Sequence, residues 1–104
     1  MLIVTTNDVA GRKAAEYLGI VSGDAIVGAN IFRDLFARVR DIVGGRAGGY
    51  EKALKDAKEA AIADMVREAQ ALGGNAVLAV DLDYETVGDS MLMVSATGTA
   101  VRLI

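Results

Sequence analysis

Two hydrophobic patterns, one typical of strands and one typical of helices, predict six elements along the chain. β-Branched and apolar residues indicate a short strand at 2–6 and a longer one at 15–27, with turn residues between them at 7–12. Gly19 and Gly23 interrupt the longer strand, which indicates a bulge or the close approach of another backbone. Gly28-Ala29 ends this strand.

Apolar residues at helical spacing predict two helices in the middle of the chain. The first begins after Asn30, whose side chain can cap it, and Gly44-Gly45 ends it. The second runs from about Tyr50 to Leu72 and is rich in alanine, which favours helix. Its expected apolar stripe consists of Leu54, Ala57, Ala61, Met65, Ala69 and Leu72, widened by Ile62 and Val66.

The last third of the chain reads as two strands, at 75–87 and 91–104, joined by three residues. A three-residue loop sets Asp83 opposite Ser95 and keeps the acidic side chains among polar neighbours, whereas a one-residue slip would set them against Leu92 and Val94. The resulting order, ββααββ over one domain at 1–104, predicts an α+β fold. We expect two helices to back a small antiparallel sheet.

Composition indicates self-association. The chain is 53% hydrophobic, and a domain of this size buries only roughly 60–70% of the surface that its unfolded chain exposes. No apolar run approaches the ~20 residues of a membrane helix, and no leader is recognisable. We therefore expect a homo-oligomer in the cytoplasm, with its surplus apolar surface in subunit interfaces.

Charge and residue types exclude several functions. The net charge of −3 argues against a general nucleic-acid binder. The chain has no histidine and no cysteine, so catalysis by a Ser-His-Asp or Cys-His group within one chain is impossible. We expect no enzymatic activity, and the sequence names no cofactor.

Five blocks resemble the YbjQ-like family, in the family's order and over almost the whole chain. They are IVTTNDVAG, YLGIVSGDAIVGANIFRD, DIVGGRAGGYE, GGNAVLAVDLDYETVG and MLMVSATGTAV. The resemblance implies a dodecin-like fold and a homopentameric ring. The family carries a heavy-metal-binding label, and no enzymatic activity is established for it. That label fits this sequence poorly, because soft metals prefer the thiolate and imidazole ligands that this chain lacks.

One candidate cation site lies on the first of the two C-terminal strands. Asp81, Asp83 and Glu85 alternate along it, so their side chains share one face at a spacing of about 6–7 Å. Carboxylate oxygens are the ligands of hard cations such as Mg²⁺ or Ca²⁺. The alternative is a solvated face, or ion pairs with Arg102 or with an arginine of another subunit. Met91 and Met93 offer sulfur on one face of the neighbouring strand, which is a weak site by itself.

The stretch VGGRAGGYEK raises the possibility of an anion site. Gly45, Gly48 and Gly49 would let a ligand approach the free N–H groups of a helix N-terminus, and Arg46 would add a fork of donors. The sequence is not a P-loop, because Gly49 is followed by Tyr50-Glu51 and a helix precedes the glycines. The favoured alternative is a joint between two helices.

Two function hypotheses follow from these observations. The first is a non-enzymatic homo-oligomer, expected as a pentamer, that binds a metal ion or a small anion. The second is a purely structural or protein-interaction ring without a small ligand.

Overall fold

The computed structural model describes residues 1–28, 48–88 and 91–104. Within them the chain forms four strands and one helix. They are β1 (Leu2–Ile3), β2 (Ala14–Val27), α1 (Gly48–Ala71), β3 (Ala76–Val87) and β4 (Met91–Leu103). The helix predicted after Asn30 lies outside the described residues. The other predicted elements are present with small shifts of their ends, except that the first strand is shorter than 2–6.

The four strands form one mixed sheet in the order β1-β3-β4-β2. β4 pairs antiparallel with both β2 and β3, as expected. β1 runs parallel to β3, with Leu2 opposite Ala76, so the prediction of a purely antiparallel sheet was wrong. Parallel neighbours need a long connection, and here β2 and α1 lie between the two strands.

The helix α1 packs on one face of the sheet through small side chains. Its buried stripe is Ala57, Ala61, Met65 and Ala69, as the spacing predicted, but Leu72 is 46% exposed. The helix crosses β2 at Gly23, where a Cβ atom would lie 2.5 Å from the Met65 amide nitrogen and would clash with the Ala61 carbonyl oxygen. Close approach of the two backbones therefore explains this glycine, whereas Gly19, with φ of 124°, lies at a break in the β2–β4 register.

A smaller apolar cluster lies on the other face of the sheet. Val77 and Ala100 face α1, whereas their neighbours Ala76 and Val101 face away from it, because successive side chains alternate. The second cluster is completed by Leu78 and Leu103 and covered by Val4, Val9 and Ala14. The N-terminal segment thus covers one end of this face.

The pairing of β3 with β4 confirms the register expected from the three-residue connection. Val87 lies opposite Met91, and Asp83 lies opposite Ser95. The sequence did not predict the irregularity between Leu78 and Asp81, where Ala79 has a φ of 53°. This bulge places an extra residue in β3 and sets which side chains beyond it face α1.

Among the described residues, no helix combines the length and the apolarity that crossing a membrane would need.

Candidate functional site

The three predicted acidic residues of β3 lie on the face of the sheet that α1 does not cover. Leu82 packs against the core under α1, so Asp81, Asp83 and Glu85 point the opposite way. All three are exposed. The bulge at Ala79 lies just before them and ends the part of this face that the N-terminal segment covers. The carboxylates are therefore placed together on an open surface.

Two cross-strand rows add further oxygen atoms to the same surface. In one row Asp83, Ser95 and Asp24 lie side by side on β3, β4 and β2. In the next row Asp81, Thr97 and Ser22 do the same. We call these six residues the oxygen patch. Glu85 lies in a third row, beside Met93 and Ile26.

Asp24 is the carboxylate of the oxygen patch that sequence reasoning missed. Its Oδ1 accepts a hydrogen bond of 2.6 Å from the Ser95 hydroxyl. The expected register already set Ser95 beside Asp83, but the pairing of β2 with β4 spans most of the chain and had no local signal. The alternation Ser22-Gly23-Asp24 places one residue of β2 in each of the two rows.

The charges of the oxygen patch repel one another. The negative charge of Asp81 raises the pKa of Asp83, and desolvation, a hydrogen bond with Asp81 and the charge of Glu85 act in the same direction. A folded protein that holds carboxylates against their repulsion favours any cation that relieves it. A cation at the acidic face of β3 would relieve this repulsion.

The geometry of the oxygen patch is open. Among the described residues, no three or more Asp, Glu, His or Cys side chains are grouped closely enough to hold a metal ion. Asp24 lies two strands away from Asp83, which is about 10 Å in a sheet. One ion could therefore touch the Asp81–Asp83 pair, with water or another molecule supplying its remaining ligands. Cation binding at Asp81, Asp83 and Glu85 stays a prediction.

The soft donor atoms of this chain are its methionine sulfur atoms, since it has no cysteine. Met65 is fully buried in the core, as its place on the helix predicted. Met93 and Met91 are partly buried on the same face as the acidic residues, and Met93 lies beside Glu85. A thioether next to carboxylates is a poor substitute for the thiolates that heavy metals select.

The predicted anion site falls only partly within the described residues. Gly48 and Gly49 form the first turn of α1, where backbone N–H groups have no partner within the helix. Gly45 and Arg46 lie outside the described part of the chain. The anion hypothesis therefore stays a prediction.

A cleft of about 450 Å³ lies between the end of β2 and the first half of α1. Its lining is mostly apolar, and its two charged residues, Lys52 and Asp56, form an ion pair of 2.9 Å with each other. The hydrogen bond to Asp56 raises the pKa of Lys52. Because these charges satisfy one another, they give the cleft no specificity for a polar ligand.

Fold and site together define a small α+β protein with an acidic, exposed sheet face. The whole chain, residues 1–104, matches the YbjQ family model, described as "Putative heavy-metal-binding". The chain therefore belongs to this family, as its sequence blocks predicted.

Two relatives agree with this assignment, and a solved structure shares the fold. The chain is 54% identical over 103 residues to UPF0145 protein GK1405 of Geobacillus kaustophilus, covering 99% of this chain and 98% of the relative. It is also 54% identical to a UPF0145 protein of Bacillus cereus, over 99% of this chain and 100% of that one. A crystal structure of a DUF74-family protein of unknown function from Pediococcus pentosaceus matches with a TM-score of 0.62 and 16% identity. It covers 100% of this chain and 98% of the other. This last likeness concerns the fold alone.

Proposed function

We propose that this protein is a non-enzymatic homo-oligomer, assembled as a ring of five, that binds a hard divalent cation at the oxygen patch. The observation that carries the proposal is the register that sets Asp81 and Asp83 side by side with Thr97 and Ser95 on an exposed face. Their oxygen atoms match Mg²⁺ or Ca²⁺ better than the heavy metals of the family description, because the chain has no thiolate and no imidazole.

Exposed apolar side chains support the ring. On β2, Tyr17 is 72% exposed, Ile20 82% and Ile26 60%. Single exposed apolar residues are ordinary, but these three lie on one strand and one face of the sheet. The number five comes from the family resemblance. The expected lack of catalysis and the cytoplasmic location stay predictions.

The cation proposal can be tested by thermal unfolding after treatment with a chelator. For a site with a Kd of about 1 mM, about 10 mM ion adds roughly 1.4 kcal/mol to the free energy of unfolding. We expect Mg²⁺ or Ca²⁺ to raise the unfolding midpoint of the wild-type protein and to leave the double variant Asp81→Asn/Asp83→Asn unchanged.

A matched control separates cation binding from a general loss of charge. The double variant Asp8→Asn/Glu59→Gln removes two exposed negative charges elsewhere and should respond to the ions like the wild type. Native mass spectrometry of protein purified without chelator reports subunit number and retained ions together. An absence of any shift with Mg²⁺, Ca²⁺, Zn²⁺ or Cu²⁺ would rule the cation site out.

The second candidate function is a structural or interaction ring without a small ligand. It is favoured by the observation that no three potential ligand side chains converge among the described residues. A bare pentamer in native mass spectrometry, with no response to cations, would support this alternative.

A further inference from the structure

The middle of β2 is held by α1 at three successive residues. The backbone amide of Ser22 donates to Glu68 Oε2 at 3.3 Å, and that of Asp24 donates to Asp64 Oδ2 at 3.4 Å. Between them, Gly23 lies so close to α1 that a Cβ atom there would clash with the helix backbone. We call these two hydrogen bonds and the contact at Gly23 the edge contact.

The amides of the edge contact point out of the sheet. β2 is the last strand in the sheet order, and its other side pairs with β4. Because backbone N–H groups alternate in direction along a strand, Ser22 and Asp24 direct their amides the same way, toward the helix carboxylates. Outward amides of an edge strand are the groups with which another strand would pair. The two carboxylates therefore occupy hydrogen-bonding positions that the addition of a strand would use.

The carboxylate of Asp64 is oriented by its own helix. Its Oδ1 accepts a hydrogen bond of 3.2 Å from Arg67 Nη2, while its Oδ2 accepts from the amide of Asp24. Each oxygen of a carboxylate is an acceptor, so the two bonds do not compete. Arg67 thus helps to hold Asp64 in place against β2.

The strand beneath the edge contact has the composition of a segment that pairs with copies of itself. Residues 18–27, LGIVSGDAIV, contain one charged residue, Asp24, and no proline. High β-propensity, low charge and the lack of proline are the signature of cross-β pairing, although Gly19 and Gly23 lower the β-propensity here. A long apolar edge strand of this kind aggregates unless its edge is covered.

We propose that Asp64 and Glu68 protect the β2 edge, by holding α1 against it so that residues 18–27 do not pair with the same residues of another molecule. When α1 moves away from β2, the outward amides become available to a second β2. Antiparallel pairing centred on Ser22 sets each Asp24 opposite Ile20 and so keeps the two charges apart. Such association requires a displaced helix, and it therefore differs from the proposed ring of folded chains.

Amide hydrogen exchange followed by NMR tests the edge contact. We expect the double variant Asp64→Ala/Glu68→Ala to exchange the amides of Ser22 and Asp24 about tenfold faster than the wild type, because each amide loses its acceptor. The single variants should divide the effect, with Glu68→Ala acting on Ser22 and Asp64→Ala on Asp24. A general loss of stability would instead speed the exchange of both amides in either variant.

Two controls separate hydrogen bonding from charge and helix propensity. Asp56→Ala/Glu59→Ala removes one aspartate and one glutamate from exposed positions of the same helix and should leave the exchange of both amides unchanged. Asp64→Asn and Glu68→Gln remove the charge but keep an oxygen acceptor, so their amides should exchange more slowly than those of the alanine variants. Wild-type exchange rates in Asp64→Ala/Glu68→Ala would overturn the edge contact.

Assembly into cross-β structure tests the protection itself. At a temperature below the unfolding midpoint, we expect Asp64→Ala/Glu68→Ala to gain thioflavin T fluorescence and light scattering about tenfold faster, or more, than the wild type. The expected factor follows from the larger population of the opened edge. Asp56→Ala/Glu59→Ala should behave like the wild type. Faster exchange without faster assembly would overturn the proposal, since the edge contact would then be a packing contact alone.

A charge introduced into β2 shows whether residues 18–27 form the new pairing. Added to the alanine double variant, Ile20→Lys changes a side chain that is 82% exposed and should suppress assembly. Ile104→Lys is the matched control, because Ile104 is 68% exposed and lies outside the segment. Equal assembly of the two would overturn the assignment to β2. If the double variant fails to fold, Glu68→Ala alone decides, through the exchange of Ser22 and the rate of assembly.

Discussion

Asp83 binds its proton more tightly in the folded protein than in the unfolded chain, because the charge of Asp81 raises its pKa above the ordinary 3.8. This tighter proton binding stabilises the folded protein at low pH, and the contribution is lost as the pH rises through the raised pKa of Asp83. At neutral pH the ionised side chain therefore destabilises the folded state.

We expect Asp83→Asn to raise the unfolding midpoint at pH 7 in the presence of a chelator. The difference from the wild type should shrink as the pH falls below the ordinary pKa, where Asp83 is neutral in both states. Thermal unfolding at neutral and acidic pH measures it, with Asp8→Asn as a control that removes a charge from an exposed bend. A lower midpoint for Asp83→Asn at pH 7 would contradict the argument.

Single residues also show how far the site could be predicted. The alternation of Asp81, Asp83 and Glu85 placed them on one face without any structure, because strand periodicity is local. Asp24 could not be found in this way. It joins the oxygen patch through a hydrogen bond to Ser95, 71 positions away in the sequence.

At the level of elements, the packing of α1 on β2 depends on the absence of one side chain. At Gly23 a methyl group would meet backbone atoms of Ala61 and Met65, which cannot move without displacing the helix. The helix stripe beneath is mostly alanine for the same reason, since larger side chains would increase the separation of the two backbones.

We expect Gly23→Ala to reduce the free energy of unfolding by about 2–3 kcal/mol, at the upper end of overpacking effects. Gly28→Ala is the matched control, because a Cβ atom there has no neighbour within 4 Å, and it should stay within about 0.5 kcal/mol of the wild type. Chemical denaturation at equal protein concentration measures both. Equal stability of the two variants would show that the helix does not lie on Gly23.

Local signals predicted the helix and the four strands among the described residues, but they could not predict how β1 pairs. Turn chemistry at 88–90 and alternating polarity fixed the register of β3 against β4. The parallel pairing of β1 depends on which edge remains free once β2, β3 and β4 are assembled. The bulge at Ala79 was missed because alanine carries no local sign of a left-handed backbone.

For the whole molecule, composition predicted self-association but could not identify the interface. How an edge of the sheet is closed is decided by contacts between residues that are distant in the sequence. Asp64 and Glu68 close the middle of the β2 edge from 40 and 46 positions away. The closure of the β2 edge is thus a property of the folded chain.

If folding and ring assembly are coupled, thermal stability depends on protein concentration. For a ring of five, a hundredfold increase in concentration adds roughly 2 kcal/mol per chain to the free energy of unfolding. That corresponds to a rise of roughly 8–16 °C in the midpoint for a domain of this size. We expect this rise for the wild type in calorimetry across that range. A wild-type midpoint that does not change with concentration would mean that each chain reaches its full stability alone, with its exposed apolar side chains in water.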